Sequence, residues 1–168
     1  MIISEAVRWA ARAHKTILGQ GTPAMTETNL SSDQLATAVL QEVRDFHAFL
    51  ADWFSGRSAA GAETLAAQRQ RFAPDMQYIS PSGAMVDAIT IETMLGGAHG
   101  GEPAIAIEIR NPTVRRADET SVLVTYEEHQ TGGVQDNSRR TTALFVPKAD
   151  APNGVGWFHV HEVWLVSE

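Results

Sequence analysis

Near its C-terminus the chain reads Gly156-Trp157-Phe158-His159-Val160-His161-Glu162-Val163-Trp164-Leu165, and this stretch decides the fold. Its aromatic and β-branched residues favour a β-strand. Successive side chains of a strand point to opposite faces. A regular alternation therefore places four side chains on one face, namely Trp157, His159, His161 and Val163. The two imidazoles are then about 6.6 Å apart, which suits either the wall of a ligand pocket or two ligands of a metal.

The size and composition of the chain predict one globular domain. It has 168 residues, of which 43% are hydrophobic and 20% charged. A chain of this length buries roughly two thirds of its unfolded surface in a single core. No repeat and no low-complexity tract interrupts it.

Several function classes are disfavoured by composition. The net charge is -7 and Lys plus Arg total 13, which argues against a nucleic-acid partner. The absence of cysteine excludes disulfides, thiolate metal sites and thiol nucleophiles. Histidines and carboxylates do not recur at a diagnostic metal-binding spacing, so neither a metal nor another cofactor is expected. No apolar run reaches the ~18 residues of a membrane span, and the cell interior, the cytoplasm, is the expected location.

The first half of the chain predicts helices. Ser31-Ser32-Asp33 offers helix N-caps, and apolar residues follow at three- and four-residue spacings as far as Phe54, with Gly56 near the helix end. A second helix is predicted over residues 61–71, packed antiparallel on the first. A third is capped by Asp87 and runs through Leu95, and a glycine-rich loop follows it.

The second half predicts strands. Residues 105–110 alternate in polarity until Asn111-Pro112, where a bulge or bend is expected. Further strands are predicted over residues 76–80, 122–126 and 141–146, before the final strand. Helices followed by an antiparallel meander indicate an α+β fold, with N-terminal helices packed on a curved antiparallel sheet. We expect an N-terminal extension over residues 1–30 and the domain over residues 31–168.

Three short motifs, in this order, resemble the nuclear transport factor 2-like superfamily. They are the segment from Phe72-Ala73-Pro74-Asp75 to Ser80-Pro81-Ser82-Gly83, the Arg140-x-Thr142 strand, and Gly156-Trp157 before a histidine-bearing last strand. Within the superfamily the chain is most similar to SnoaL-like proteins and to the association domain of calcium/calmodulin-dependent kinase II. The resemblance spans Ser31 to Val166. It implies a cystatin-like cone with a pocket between sheet and helices, and homodimers built through the sheet.

The resemblance implies several possible functions, since such folds include isomerases, cyclases, dehydratases and non-catalytic hubs. Where steroid-isomerase-like members carry a catalytic carboxylate before Pro-x-Gly, this chain has Ser80, and a serine hydroxyl is no general base near neutral pH. At the positions where the kinase association domain has arginines on its pocket wall, this chain has Tyr126 and Thr142. Arg140 has the same facing as Thr142 and is the candidate to replace those arginines. A second strand histidine of that domain is replaced by Val163.

The candidate catalytic residues are His159, His161 and Asp75. The imidazoles titrate near neutral pH and can act as acid or base, although a strand histidine is more often a hydrogen-bonded structural residue. Asp75 is a base if burial raises its pKa, although such an aspartate more often caps a turn. The candidate ligand-binding residues are Tyr78, Ser80, Tyr126, Arg140, Thr142 and Trp53.

Two hypotheses follow from these residues. The first is a SnoaL-like protein that binds a small molecule, with lyase- or isomerase-like proton transfer as an open possibility. The second is a non-catalytic association or ligand-sensing module. The sequence does not decide whether the chain is an enzyme.

Overall fold

The structure, a computed structural model, describes residues 30–166. The predicted extension over residues 1–30 lies outside the described residues, except for Leu30. In chain order the elements are α1 (Ser32–Ser55), α2 (Ala62–Arg69), β1 (Phe72–Ile79), β2 (Met85–Asp87), α3 (Ala88–Gly96), β3 (Ala106–Ala117), β4 (Val122–Thr131), β5 (Asn137–Pro147) and β6 (Val155–Trp164). Among the helices described, none is long and apolar enough to cross a membrane. This order of elements confirms the predicted α+β class.

Helix α1 begins and ends where its sequence predicts. The Ser31 hydroxyl accepts a hydrogen bond from the backbone N–H of Gln34, and the Gln34 side chain accepts one from the backbone N–H of Ser31, which completes a capping box. At the other end Gly56 adopts φ 78°, a left-handed conformation that glycine takes without a steric penalty. The predicted apolar stripe faces the sheet, and Leu35, Val39 and Val43 are buried there.

The sheet has six strands in the order β2-β1-β6-β5-β4-β3. Neighbouring strands are antiparallel except β1 and β6, which run parallel, with Tyr78 opposite Val160. The prediction of an antiparallel sheet is therefore corrected at this one pair. The last strand lies between the first long strand and the meander, so it joins the two parts of the sheet.

Two of the irregularities in strand pairing bear on the sequence predictions. At Asn111 the backbone adopts φ 53°, and the pairing of β3 with β4 shifts register between Arg110 and Thr113, which confirms the bend predicted at Asn111-Pro112. In β6 the pairing with β5 shifts by one residue, so that Phe145 lies opposite Trp157 and Leu144 opposite His159. Phe158 is the additional residue of this bulge.

The bulge at Phe158 reverses the facing predicted for the middle of β6. Trp157 points to the helices, and after the additional residue Val160 and Glu162 do so as well; all three are buried. His159 and His161 point to the other face of the sheet, where His161 is exposed. The prediction that Trp157 shares a face with the two histidines is wrong, because a regular alternation does not hold across a bulge.

Helix α1 lies on the concave, helix-facing side of the sheet and forms the core with it. Its buried aliphatic residues pack on Val122, Val124, Phe145 and Trp157. Burial of each such side chain contributes about 1.5–3 kcal/mol. The short helix α2 buries none of its residues and packs on α3 rather than on α1, which corrects the predicted helix pair. Arg69 and Glu92 form an ion pair at 2.7 Å between α2 and α3.

Candidate functional site

A cavity of about 350 Å³ lies between α1, the α3 region and the concave face of the sheet. Most of its wall is apolar and aromatic, and its polar groups come mainly from β4, β5 and β6. The apolar and aromatic lining consists of Phe46, Leu50, Phe54, Phe72, Met76, Tyr78, Ile91, Met94, Leu95, Ala98, Tyr126, Trp157 and Val160. The other polar and charged lining residues are His47, Glu102, Glu128, Gln130, Arg139 and Glu162.

His47 and Glu128 form a buried pair on the cavity wall. The Nδ1–H group of His47 donates to the carbonyl oxygen of Val43 over 2.6 Å, and Nε2 lies 3.2 Å from Oε2 of Glu128. A carbonyl oxygen can only accept a hydrogen bond, so Nδ1 must carry a proton. The contact between Nε2 and the carboxylate of Glu128 then needs a second proton, located either on Nε2 or on the carboxylate. The pair therefore holds one proton that can be exchanged.

Charge interactions displace the pKa values of this pair in opposite directions. Burial alone would lower the pKa of His47, but the hydrogen bond and negative charge of Glu128 outweigh it and raise the pKa. Burial alone would raise the pKa of Glu128, but His47 and Arg139 outweigh it and lower the pKa to about 2. The pair is thus stabilised as imidazolium and carboxylate.

Arg139 lies between two glutamates. Its Nη1 donates to Oε2 of Glu162 over 3.2 Å, and its Nη2 lies 3.4 Å from Oε1 of Glu128. Glu162 also accepts hydrogen bonds from the hydroxyls of Tyr78, at 2.8 Å, and Thr141, at 3.3 Å. Side chains from β1, β4, β5, β6 and α1 are thereby joined in one network.

The two cavity tyrosines remain protonated at neutral pH. Burial raises the pKa of Tyr78, and the charge of Glu162 raises it further. Burial likewise raises the pKa of Tyr126 well above its ordinary value. Both phenols therefore serve as hydrogen-bond donors rather than as bases.

Among the predicted site residues, Tyr78 and Tyr126 line the cavity. Trp53 lies behind the cavity wall, because its Nε1–H donates to the carbonyl oxygen of Leu95 over 2.7 Å and its ring is 2% exposed. Ser80 is a turn residue, whose hydroxyl contacts the hydroxyl of Ser82 and accepts from the backbone N–H of Ala84.

The other predicted residues lie away from the cavity. Asp75 is exposed on β1. Arg140 and Thr142 are exposed on the outer face of β5, where Arg140 donates to Glu127 over 2.8 Å. His159 and His161 are on the same outer face, since His161 lies opposite Thr142 and His159 opposite Leu144. The expectation that these five side chains line the pocket is therefore not met.

Four of the residues that form the polar part of the cavity were missed. They are His47, Glu128, Arg139 and Glu162. Each lies on a periodic pattern of buried residues: His47 follows Val43 by one helical turn, and the three strand residues continue the buried alternation of β4, β5 and β6. A charged or histidine side chain at a position that the apolar pattern marks as buried was the signal that could have identified them.

The described residues contain no group of three or more histidine or acidic side chains arranged to hold a metal ion. The charged groups of the cavity, apart from Glu102, bind one another instead. The arrangement supplies an exchangeable proton, two phenolic hydroxyls and carboxylate acceptors next to an apolar wall, which are the components of a small-molecule site with acid–base capacity.

Comparisons with known proteins extend these observations. The chain matches no protein-family model. It is 27% identical over 154 residues to sucrose-phosphatase 1 from Nicotiana tabacum, and this match includes 88% of the chain but only 36% of that phosphatase. The chain thus spans about a third of the length of that relative.

Solved structures share the fold at low sequence identity. An NTF2-like protein of unknown function from Pseudomonas aeruginosa superposes with a TM-score of 0.70 at 23% identity, over 77% of this chain and 99% of that one. The S. rosetta CaMKII hub superposes with a TM-score of 0.54 at 13% identity, over 77% of this chain and 95% of that one. A cystatin-like protein from Caulobacter vibrioides gives 0.57 at 15% identity, over 77% and 89%. The chain therefore has the NTF2-like, cystatin-like fold that its sequence motifs predict.

Proposed function

We propose that this protein binds a small molecule in the cavity between α1, α3 and the sheet. The observation that supports the proposal most is the buried network of His47, Glu128, Arg139, Glu162 and Tyr78 at the wall of an otherwise apolar cavity. Burial of several charged groups is costly for a fold, even when they are paired. Ligand-binding sites commonly combine an apolar wall with a few such groups that orient the ligand.

Proton transfer of a lyase or isomerase kind is part of this proposal, and we propose different residues for it from those predicted. His47 and Glu128 hold an exchangeable proton. The hydroxyl proton of Tyr78 is donated to Glu162, so it reaches a carbonyl oxygen of the ligand only by leaving that carboxylate. His159, His161 and Asp75 are left out, because they lie away from the cavity.

A thermal-shift screen tests the proposal. The panel contains small carboxylates, cyclic ketones, amines and sugars, and a ligand present at 100 times its dissociation constant stabilises the fold by about 2.7 kcal/mol. Ala98 lines the cavity, so Ala98→Phe fills it and abolishes the shift. Ala149→Phe places the same side chain on an exposed turn and preserves the shift. A shift that survives Ala98→Phe would place the ligand elsewhere.

A non-catalytic association module is the second candidate. The outer face of β6 exposes Phe158 and Val163, which are 38% and 48% exposed, and Leu144 lies half-buried beside them. These apolar side chains lie on a face that also carries Arg140, Thr142 and His161, and such a mixed face suits contact with a second copy of the chain. The likeness to a protein described as the CaMKII hub agrees with self-association.

The match to sucrose-phosphatase 1 supports a further set of probes. The matched segment is only about a third of that enzyme. For this reason we propose an accessory, ligand-sensing role rather than phosphatase activity for the chain, and the sugars of the panel include sucrose and its phosphate.

A further inference from the structure

The charge of the cavity wall restricts what it can bind. Five lining side chains are acids or bases other than tyrosine, and three of the five are glutamates. They are Glu102, Glu128, Glu162, Arg139 and His47. The formal charge of this set is negative whether or not His47 is protonated. A ligand therefore meets a negative field inside low-dielectric walls.

The two basic side chains of the wall are engaged at all but one of their nitrogens. Arg139 contacts both Glu162 and Glu128, so that only its buried Nε lacks a partner among the described residues, and both ring nitrogens of His47 have partners. A carboxylate or phosphate of a ligand that paired with Nη1 or Nη2 of Arg139, or with His47, would have to displace a glutamate. That exchange leaves a buried carboxylate without its partner, which is strongly unfavourable.

Hydrogen-bond acceptors are in excess on the same wall. An ionised carboxylate offers about four acceptor positions. Glu102 is half-buried, and within the described part of the chain the only hydrogen bond to its carboxylate is from the backbone N–H of Val134, at 3.1 Å. Glu102 therefore has acceptor positions available for donors of a ligand.

Aromatic rings provide the second attractive element. Six rings of Phe, Tyr or Trp line the cavity: Phe46, Phe54, Phe72, Tyr78, Tyr126 and Trp157. The face of an aromatic ring attracts a cation that lies within about 6 Å of its centre. Carboxylates and ring faces together favour a positively charged group and give its apolar body a surface to pack on.

We infer that the cavity binds an organic cation, an ammonium group carried on an apolar body, and discriminates against carboxylates and phosphates. This inference rests on the proposed ligand-binding function and adds the class of ligand. It also predicts that sucrose phosphate binds less well than sucrose, because the phosphate adds negative charge.

Three probes of matched shape test the inference: 4-phenylbutylamine, 4-phenylbutanol and 4-phenylbutyrate, titrated by calorimetry into the wild-type protein. We expect the amine to bind about tenfold more tightly than the alcohol, and the carboxylate more weakly than either. The affinity of the amine should fall as salt is added, whereas that of the alcohol should not.

Glu102→Gln provides the matched variant, because Glu102 lies on the cavity wall and outside the buried network. It should weaken binding of the amine roughly threefold, the size expected for a partly screened charge, and leave the alcohol unaffected. Glu119→Gln removes the same charge from an exposed loop and should change neither affinity.

The outcomes separate this inference from the proposed function. If phenylbutyrate binds most tightly, or if the three probes bind equally, the inference is overturned and the ligand-binding function stands. The inference is also overturned if none of the three binds while another member of the thermal-shift panel does. If nothing in either set of compounds binds, both proposals fail.

Discussion

Nε2 of His47 lies 3.2 Å from a carboxylate oxygen of Glu128, and both side chains are buried. The pair joins α1 to the middle of the sheet, across the wall of the cavity. Because Nδ1 of the same ring already donates to Val43, neither partner can change its protonation without disturbing the other. The pair therefore connects the stability of the fold to pH.

The first prediction concerns that dependence. His47 has a raised pKa, so its contribution to stability is complete below its unfolded pKa of about 6.5 and is lost as the pH rises through the folded pKa. Glu128 has a lowered pKa, so its contribution is complete above its unfolded value of about 4.3 and is lost as the pH falls towards about 2. The free energy of unfolding in urea should accordingly decline above pH 6.5.

Glu128→Gln is the control for this prediction. It removes the carboxylate that raises the pKa of His47 and that itself titrates at low pH. The variant should be less stable near pH 6 and should show a weaker decline at higher pH. A wild-type unfolding free energy that stays constant between pH 6 and pH 9 would contradict the assignment.

The second prediction concerns Glu42, which is fully buried on α1. Its carboxylate accepts from Nε1 of Trp157 at 2.9 Å, from Nδ2 of Asn153 at 2.8 Å and from Arg71. Glu42→Gln leaves the cation of Arg71 without its partner, and we expect a loss of about 3–5 kcal/mol in urea unfolding. Glu63→Gln, an exposed change on α2, should cost less than about 0.5 kcal/mol. Similar losses in the two variants would refute the role of Glu42.

The third prediction concerns Trp53, whose indole N–H anchors α3 through the carbonyl oxygen of Leu95. Trp53→Phe removes this hydrogen bond and leaves the carbonyl oxygen of Leu95 with that from the backbone N–H of Ala98, so the free energy of unfolding should fall by about 0.5–1.5 kcal/mol. Because Leu95 lines the cavity, amide hydrogen exchange should accelerate over residues 88–101 more than in the sheet. Uniform acceleration would indicate that the indole supports the whole core rather than this wall.

The fourth prediction concerns the outer face of the sheet. If two copies associate there, Val163→Asp places a charge in the contact and should convert a dimer into a monomer, as measured by light scattering. Val134→Asp changes an exposed valine in the loop between β4 and β5 and should leave the dimer intact. A wild-type protein that is already monomeric at the highest concentration measured would refute association.

Local signals were sufficient for most of the fold. The cap at Ser31, the glycine at Gly56 and the apolar spacing between them define α1 before any tertiary contact is known. The bend at Asn111-Pro112 was equally local. The parallel pairing of β1 with β6 was not predictable in this way, because its partners are more than 80 positions apart and no turn connects them.

The candidate site was harder to predict, because it depends on which face each side chain occupies. One additional residue, Phe158, changes the side on which His159 and His161 lie. On β5 the family resemblance favoured Arg140 and Thr142 as pocket residues. The buried residues Ala143 and Phe145 instead share a face with Arg139 and Thr141, which therefore point to the helices. A one-residue error in facing exchanges a cavity residue for a surface residue.

The position of β6 between β1 and β5 has a consequence for synthesis. A ribosome produces the helices and five of the six strands before β6, yet β1 and β2 can join the meander only through that strand. Trp157 and Val160, which complete the core, are made after those five strands. Until β6 has been synthesised, the nascent domain exposes the unpaired edges of β1 and β5, and in that interval it depends most on chaperones.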